Sequence, residues 1–159
     1  MQRPMRRSDR ALSREEALGV LSRAACGVLS TACDGVPYGV PLSFVVLDEA
    51  IYFHCAQSGR KIDALRGNPR VSFCAVECGS SIRAGTGFTT HYESAIAEGV
   101  AVLVSDASEH ERSLLALCEK YVPGEQAHAR EGIALSGART TVVRIDIATL
   151  TGKANRPQA

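Results

Sequence analysis

Tryptophan is absent from this chain, and four phenylalanines and four tyrosines bring aromatic residues to only 5% of 159. Recognition of single-stranded nucleic acid leans on stacked aromatic side chains, so this scarcity argues against it. A surplus of charge is missing too. The formal net charge is +1 at pH 7, without the basic face that duplex binding needs. No apolar run approaches the roughly 20 residues required to cross a bilayer. Met1–Arg10 is basic but has no apolar stretch of the secretory-signal kind. The expectation is a cytoplasmic protein with neither a nucleic-acid nor a membrane partner, its first residues forming a mobile or docking arm.

Six cysteines are present, but nothing marks a secreted disulfide scaffold. Cys26, Cys74 and Cys118 lie within apolar runs and read as buried thiols acting as small hydrophobes. With 45% hydrophobic and 22% charged residues the chain can form one domain with a substantial core. The boundaries expected are an arm over 1–12, a single domain over 13–150 and a polar tail over 151–159.

Ser13-Arg14-Glu15-Glu16 is a capping box opening a helix that presents Leu18, Leu21 and Ala25. Asp34-Gly35 signals a hairpin between a strand over 27–32 and a return over 36–47, in which Pro37 and Pro41 imply an edge or an irregular entry. Val71–Glu77, Tyr92–Val104 and Thr140–Leu150 read as further strands, with Gly99 a bulge. Gly79–Thr90 reads as a long loop. Ser108-Glu109-His110-Glu111 is a second capping box, for a helix with Leu114, Leu117, Cys118 and Tyr121 on one face. About six strands and three helices, joined mostly by short turns, predict a mainly antiparallel sheet closing into a small barrel with peripheral helices.

Ile51–Leu65 carries the strongest chemical signal. Ile51 and Phe53 alternate with Tyr52 and His54, then Cys55-Ala56-Gln57-Ser58-Gly59 turns into a helix headed by Arg60 and Lys61. Cations at a helix N-terminus oppose the dipole unless an anion joins them, and the preceding glycine lets a ligand approach the backbone. This turn is a candidate phosphate site. His54 alone reads as a satisfied side chain, and Cys55 beside two cations as a conceivable nucleophile. Cys74 and Cys78 do not have the spacing of a structural zinc turn, so no metal is expected.

A longer series of segments supports a family resemblance: Met5–Arg10, Gly39-Val40-Pro41-Leu42-Ser43-Phe44, Ile51–His54 with Gly59–Asp63, Asn68-Pro69, Thr89–Ser94 before Gly99, and Thr151-Gly152-Lys153. In this order the chain resembles the flavin-binding split-barrel family related to pyridoxamine 5′-phosphate oxidase, and within it the Nim-type group known for nitroimidazole resistance. The resemblance implies an α+β fold, mainly β: a six-stranded antiparallel split β-barrel that binds FMN at the interface of a homodimer. Pro41, Leu42, Ser43 and Phe44 are then expected along the flavin ring, with His54, Cys55, Arg60, Lys61 and Ile62 on the phosphate side. Tyr92 and Ser94 are expected near the ring, and His54 in the active site. Ser94 replaces a longer amide of the oxidase, and no C-terminal Trp/Arg pair is found, which argues against pyridoxamine-phosphate oxidation. The implied activity is an FMN-dependent, nitroreductase-like oxidoreductase acting on a small molecule, with Gly79–Thr90 as a lid. The alternative is a carrier without turnover that binds FAD, a deazaflavin or heme, the last through His54 or His91.

Overall fold

In the computed structural model, which describes residues 5–157, Ser13 starts the first helix as its spacing predicts. Its hydroxyl accepts from the Glu16 N–H, and the Glu16 carboxylate accepts from the Ser13 N–H, closing the capping box of α1 (Arg14–Arg23). Just before it, β1 (Ala11–Leu12) pairs with the last strand. Two tight turns then set register. Asp34-Gly35, with φ of 52° and 76°, joins β2 (Gly27–Cys33) to β3 (Val36–Leu42). Asp48-Glu49, with φ of 49° and 59°, joins β4 (Val45–Leu47) to β5 (Ala50–Ala56). The left-handed backbone of this second turn is unusual for non-glycine residues. Arg112 holds the Asp48 carboxylate at 2.7 Å and Arg14 holds that of Glu49 at 2.8 Å.

The chain continues through α2 (Arg60–Gly67), β6 (Arg70–Ala84), β7 (Gly87–Leu103), α3 (Ala107–Tyr121), α4 (Gln126–Ser136) and β8 (Thr140–Asn155). All strand pairs are antiparallel, in the order β3-β2-β6-β7-β8-β5-β4 with β1 beside β8. The two edge strands, β3 and β4, are consecutive in sequence and joined by Ser43-Phe44 alone. So short a link requires the twisted sheet to coil until its edges nearly meet, leaving a barrel split at that point. Pro37 and Pro41 lie on the edge strand β3, where their missing N–H groups cost no ladder bond. Inside the barrel, Leu29, Phe44, Ile51, Phe53, Phe73, Ala95, Ala97, Val143 and Ile145 form one core with Ala17, Val20 and Leu21 of α1. The Phe44 and Phe73 rings meet edge to face, 4.7 Å between centroids.

Several expectations are corrected. The described residues form eight strands and four α-helices rather than six and three. Gly79–Thr90 is a paired hairpin, not an open loop: after a bulge at Cys78/Ser81, Ser81, Ile82, Arg83 and Ala84 face Thr90, Thr89, Phe88 and Gly87. The Ser81 and Thr90 hydroxyls meet at 2.8 Å across the ladder. The Gly, Ser and Thr content that suggested a loop includes β-branched residues that pair well across strands. The cap of α3 is Asp106, accepting from the Glu109 N–H at 2.7 Å, two residues before the capping box expected at Ser108. Helix α4 buries no residue, so its periodicity is weak in the sequence. The termini are also more ordered than an arm and a tail. Ser8–Arg10 form a 3₁₀ turn, and β8 continues through Lys153 and Asn155 because both β1 and β7 pair with it. Met1–Pro4 and the last two residues lie outside the described part. The cysteines are free but not buried: Cys26 and Cys78 are exposed and the other four half-buried, since strand alternation turns Cys74 and Cys78 away from Phe73 and Ala75.

Gly99 forms the bulge expected of it, with the register against β8 slipping between Glu98 and Gly99. A Cβ there would overlap the Asp146 carbonyl oxygen. Gly99→Ala is therefore expected to destabilise the fold by about 1–3 kcal/mol, read as a lower urea midpoint at unchanged slope.

Helix α3 is tied to the barrel by a half-buried network. The Tyr52 hydroxyl donates to Glu109 at 2.8 Å, and Arg144 of β8 donates to Glu109 at 2.7 Å and to Asp146 at 2.6 Å. Tyr121 reaches the split itself. Its hydroxyl accepts from the Phe44 N–H at 2.9 Å and shares its proton between the carbonyls of Phe44 and Ala25, at 3.0 and 2.9 Å. No helix among the described residues is long and apolar enough to cross a membrane.

Candidate functional site

Strand β5 sorts its side chains as alternation predicts. Ile51 and Phe53 enter the core and Cys55 packs against it, while Tyr52 and His54 face α3. His54 opens onto a cavity of about 390 Å³ whose other walls are Ser43, Leu117, Tyr121, Ile133 and Thr140. Leu114, Leu117, Cys118 and Tyr121, expected to share one face of their helix, all line it. His54 is exposed overall, with its ring partly buried in the cavity wall. Burial lowers its pKa from 6.5, and the Lys61 charge pushes in the same direction. Both effects favour the neutral imidazole. Its folded-state pKa lies below the unfolded value, so its contribution to stability is complete above about pH 6.5 and is lost as pH falls through the lowered value. A urea-unfolding series from pH 7 downward should show this loss in the native chain, and His54→Gln should flatten that part of the curve.

At the end of β5, Gly59 takes a φ of 120° and heads α2 with no side-chain cap. The first-turn N–H groups of α2 therefore lack a side-chain acceptor. Arg60 lays its guanidinium over the Tyr38 ring, 4.2 Å from the centroid, and the Lys61 ammonium lies 5.5 Å from that of Phe53. Among the described residues neither cation has an acidic partner within ion-pair distance. N–H groups at a helix start, two cations and a glycine that permits close approach are the parts an anion cradle would need. Burial raises the Cys55 thiol pKa, with Lys61 only partly opposing it, so this cysteine is not an activated nucleophile.

His54 and Ser43 share the cavity, Lys61 is near enough for its charge to act on His54, and Arg60 stands over Tyr38 of the edge strand. Ile62 is buried, so only its backbone can serve a ligand there. Leu42 turns half-buried against the core, Pro41 is exposed on the edge strand, and Phe44 departs from the ring-wall expectation. Its ring is fully buried and both of its backbone groups are held by Tyr121. Tyr92 and Ser94 are elsewhere. His54 pairs with Val142 of β8 and Ser94 with Lys153, eleven positions further on, about 35 Å of strand path. His91 precedes Tyr92 at that same remote end, so it cannot share a ligand with His54 within one chain. Among the described residues no cluster of His, Cys, Asp and Glu could hold a metal ion. Sequence reasoning missed Tyr38 and the α3–α4 wall. The alternation of Tyr38 with Val40 and Leu42 was the available signal for the first.

The antiparallel sheet split between β3 and β4, with its peripheral helices, places the chain in the split-barrel fold class. The family model Pyridox_ox_2, described as pyridoxamine 5′-phosphate oxidase, matches residues 13–154, and the chain belongs to that family. Uncharacterized protein RA0666 of Rhizobium meliloti (strain 1021) is 35% identical over 72 residues, 45% of this chain; the match spans about half of that relative, 47% of its length. Among solved structures, flavocytochrome Anf3 from Azotobacter vinelandii superposes with a TM-score of 0.84 at 22% identity, covering 97% of this chain and 73% of that one. A putative 5-nitroimidazole antibiotic resistance protein from Bacteroides thetaiotaomicron gives 0.76 at 18%, covering 92% and 90%. An FAD-binding protein (mll6688) from Mesorhizobium loti gives 0.67 at 26%, covering 92% and 98%.

Proposed function

We propose that this chain binds FMN and acts as a flavin-dependent oxidoreductase, working as a homodimer. The observation that carries this reading is the helix start at Gly59-Arg60-Lys61, which joins uncapped N–H groups to two cations without an acidic partner among the described residues, with the Lys61 charge acting on His54. Similarity to an FAD-binding protein and to a flavocytochrome supports a flavin as the source of that phosphate. A bound flavin supplies the electron transfer, and the protein supplies binding, orientation and the electrostatics around it. Arg60 and Lys61 neutralise the phosphate. Ser43 offers a hydroxyl at the split, and neutral His54 donates or accepts one hydrogen bond towards a small substrate, such as a nitro-aromatic. Leu114, Leu117 and Ile133 keep water from the cavity wall.

Dimerisation is favoured by the outer face of the sheet. Val28 and Ile96 flank Cys74 on one rung, with Val76 one step away, and the three aliphatic side chains are 41–46% exposed. Such an exposed apolar cluster fits a protein–protein contact, and Tyr92 and Ser94 lie beside it. In the dimer these two residues reach the flavin from a second copy.

An absorption spectrum of the purified chain, with mass analysis of whatever denaturation releases, tests the proposal. Flavin bands and an FMN mass are the expected result; an FAD or deazaflavin mass would replace the cofactor and keep the class. Heme bound through His54 is the second reading, favoured by the neutral imidazole on the cavity, and a Soret band would select it. A chain that gains neither spectrum after reconstitution would end both.

A further inference from the structure

At the remote end of β8, three segments bring their polar side chains together. Tyr92 and Ser94 of β7 sit directly opposite Asn155 and Lys153 of β8, so all four occupy one face of the sheet. Pairing of Ala11 with Lys153 brings Arg10 alongside. The Lys153 ammonium lies 5.8 Å from the centre of the Tyr92 ring, and Arg10, Tyr92, Ser94 and Lys153 are each half-buried.

The charges here do not balance. Arg7 also faces Tyr92, but it is bound bidentately by Asp9, whose carboxyl it holds at about 2, so that pair is neutral overall. On the opposite face Glu93 is taken by Arg23 and Arg156. Among the described residues neither Arg10 nor Lys153 has an acidic partner within ion-pair distance. Burial opposes ionisation of the Tyr92 phenol, yet Lys153 and Arg10 together carry its pKa below the ordinary 10. Two cations held part-way out of water around one hydroxyl repel each other, and an anion between them removes that penalty. The Ser94 hydroxyl already donates to the Lys153 carbonyl at 3.3 Å, which leaves the Tyr92 O–H as the neutral donor of the group.

We infer that Arg10, Lys153 and Tyr92 form a second anion-binding subsite, distinct from the α2 cradle, that takes a phosphate or carboxylate group of a small molecule. On the flavin reading, on which this clause rests, the group belongs to an anionic reaction partner or to a further phosphate of a dinucleotide. The subsite itself needs no flavin, so the two ideas can fail separately.

The test is titration of the full chain with inorganic phosphate, succinate and ADP, followed by chemical shifts and by tyrosinate absorbance against pH. Saturable phosphate binding is expected. It should be retained when Arg60 and Lys61 are both alanine, and in that background, where the α2 cradle no longer contributes, it should weaken roughly tenfold or more in Lys153→Gln and in Arg10→Gln and persist in Lys153→Arg. Phosphate should also raise the pH at which the most acidic tyrosine ionises, a shift absent from Tyr92→Phe. ADP binding tighter than phosphate assigns a dinucleotide, and succinate binding tighter assigns a carboxylate reactant. Phosphate binding indifferent to Lys153→Gln, binding lost with Arg60 and Lys61 alone, or no binding at all would overturn the inference. A chain that binds phosphate this way but never flavin would leave the subsite standing and remove the flavin reading.

Discussion

Replacing Arg60 and Lys61 together by alanine should weaken flavin affinity by two to four decades while leaving the chain folded. Each cation contributes a charge-assisted hydrogen bond of about 1.5–3 kcal/mol to a bound phosphate, so the pair contributes about 3–6 kcal/mol. Their role in the fold is much smaller. Arg60 is exposed and gives up its stacking on Tyr38, an effect of about 0.5–1 kcal/mol. Lys61 loses a more distant approach to Phe53. A fluorescence titration of the flavin-free chain reads the affinity, and a urea curve of the same variant reads the stability. Arg60→Lys should recover only part of the loss, because a point charge does not stack on Tyr38 as a planar guanidinium does. Unchanged affinity in the double variant would show that the α2 cradle does not hold the phosphate.

Phe44→Ala should destabilise the fold by about 3–5 kcal/mol, the largest single-residue effect expected here. The ring is fully buried and packs edge-on against Phe73. Its other face carries the Lys120 ammonium, 4.1 Å from the centroid. That ammonium is buried with no hydrogen-bond partner among the described residues, and burial lowers its pKa, so losing the ring removes the nearer of the two aromatic faces it approaches, leaving only Tyr121 at 5.5 Å. Phe44→Leu keeps most of the volume and should cost under about 2 kcal/mol. Lys120→Met in the Phe44→Ala background should return part of the stability, since an unpaired cation is then no longer buried. A small effect of Phe44→Ala on unfolding with a large effect on flavin affinity would restore this residue to the ring wall.

These two sites show where sequence reasoning succeeds and where it stops. Arg60 and Lys61 could be read directly, because a helix start with its glycine and cations is a local object whose chemistry is fixed by neighbours in sequence. The capping box at Ser13, the turn at Asp34-Gly35 and the bulge at Gly99 were legible for the same reason. Phe44 was not. Its place in a motif suggested a wall, but burial depends on Phe73, Lys120 and Tyr121, which arrive from β6 and α3.

The sequence by itself determined the strand alternation of Ile51 to His54, the glycine-and-cation start of α2 and the likeness to the split-barrel family. Tertiary structure decided the rest. It set the cavity that lowers the pKa of His54, placed an aromatic ring under Arg60, and turned Gly79–Thr90 from a loop into a hairpin. It also separated Ser94 and Tyr92 from His54 by eleven and thirteen positions of β8. Strand order and burial are long-range properties: a side chain's neighbours across a sheet come from segments that no local pattern names, and their charges and surfaces fix what that side chain can do.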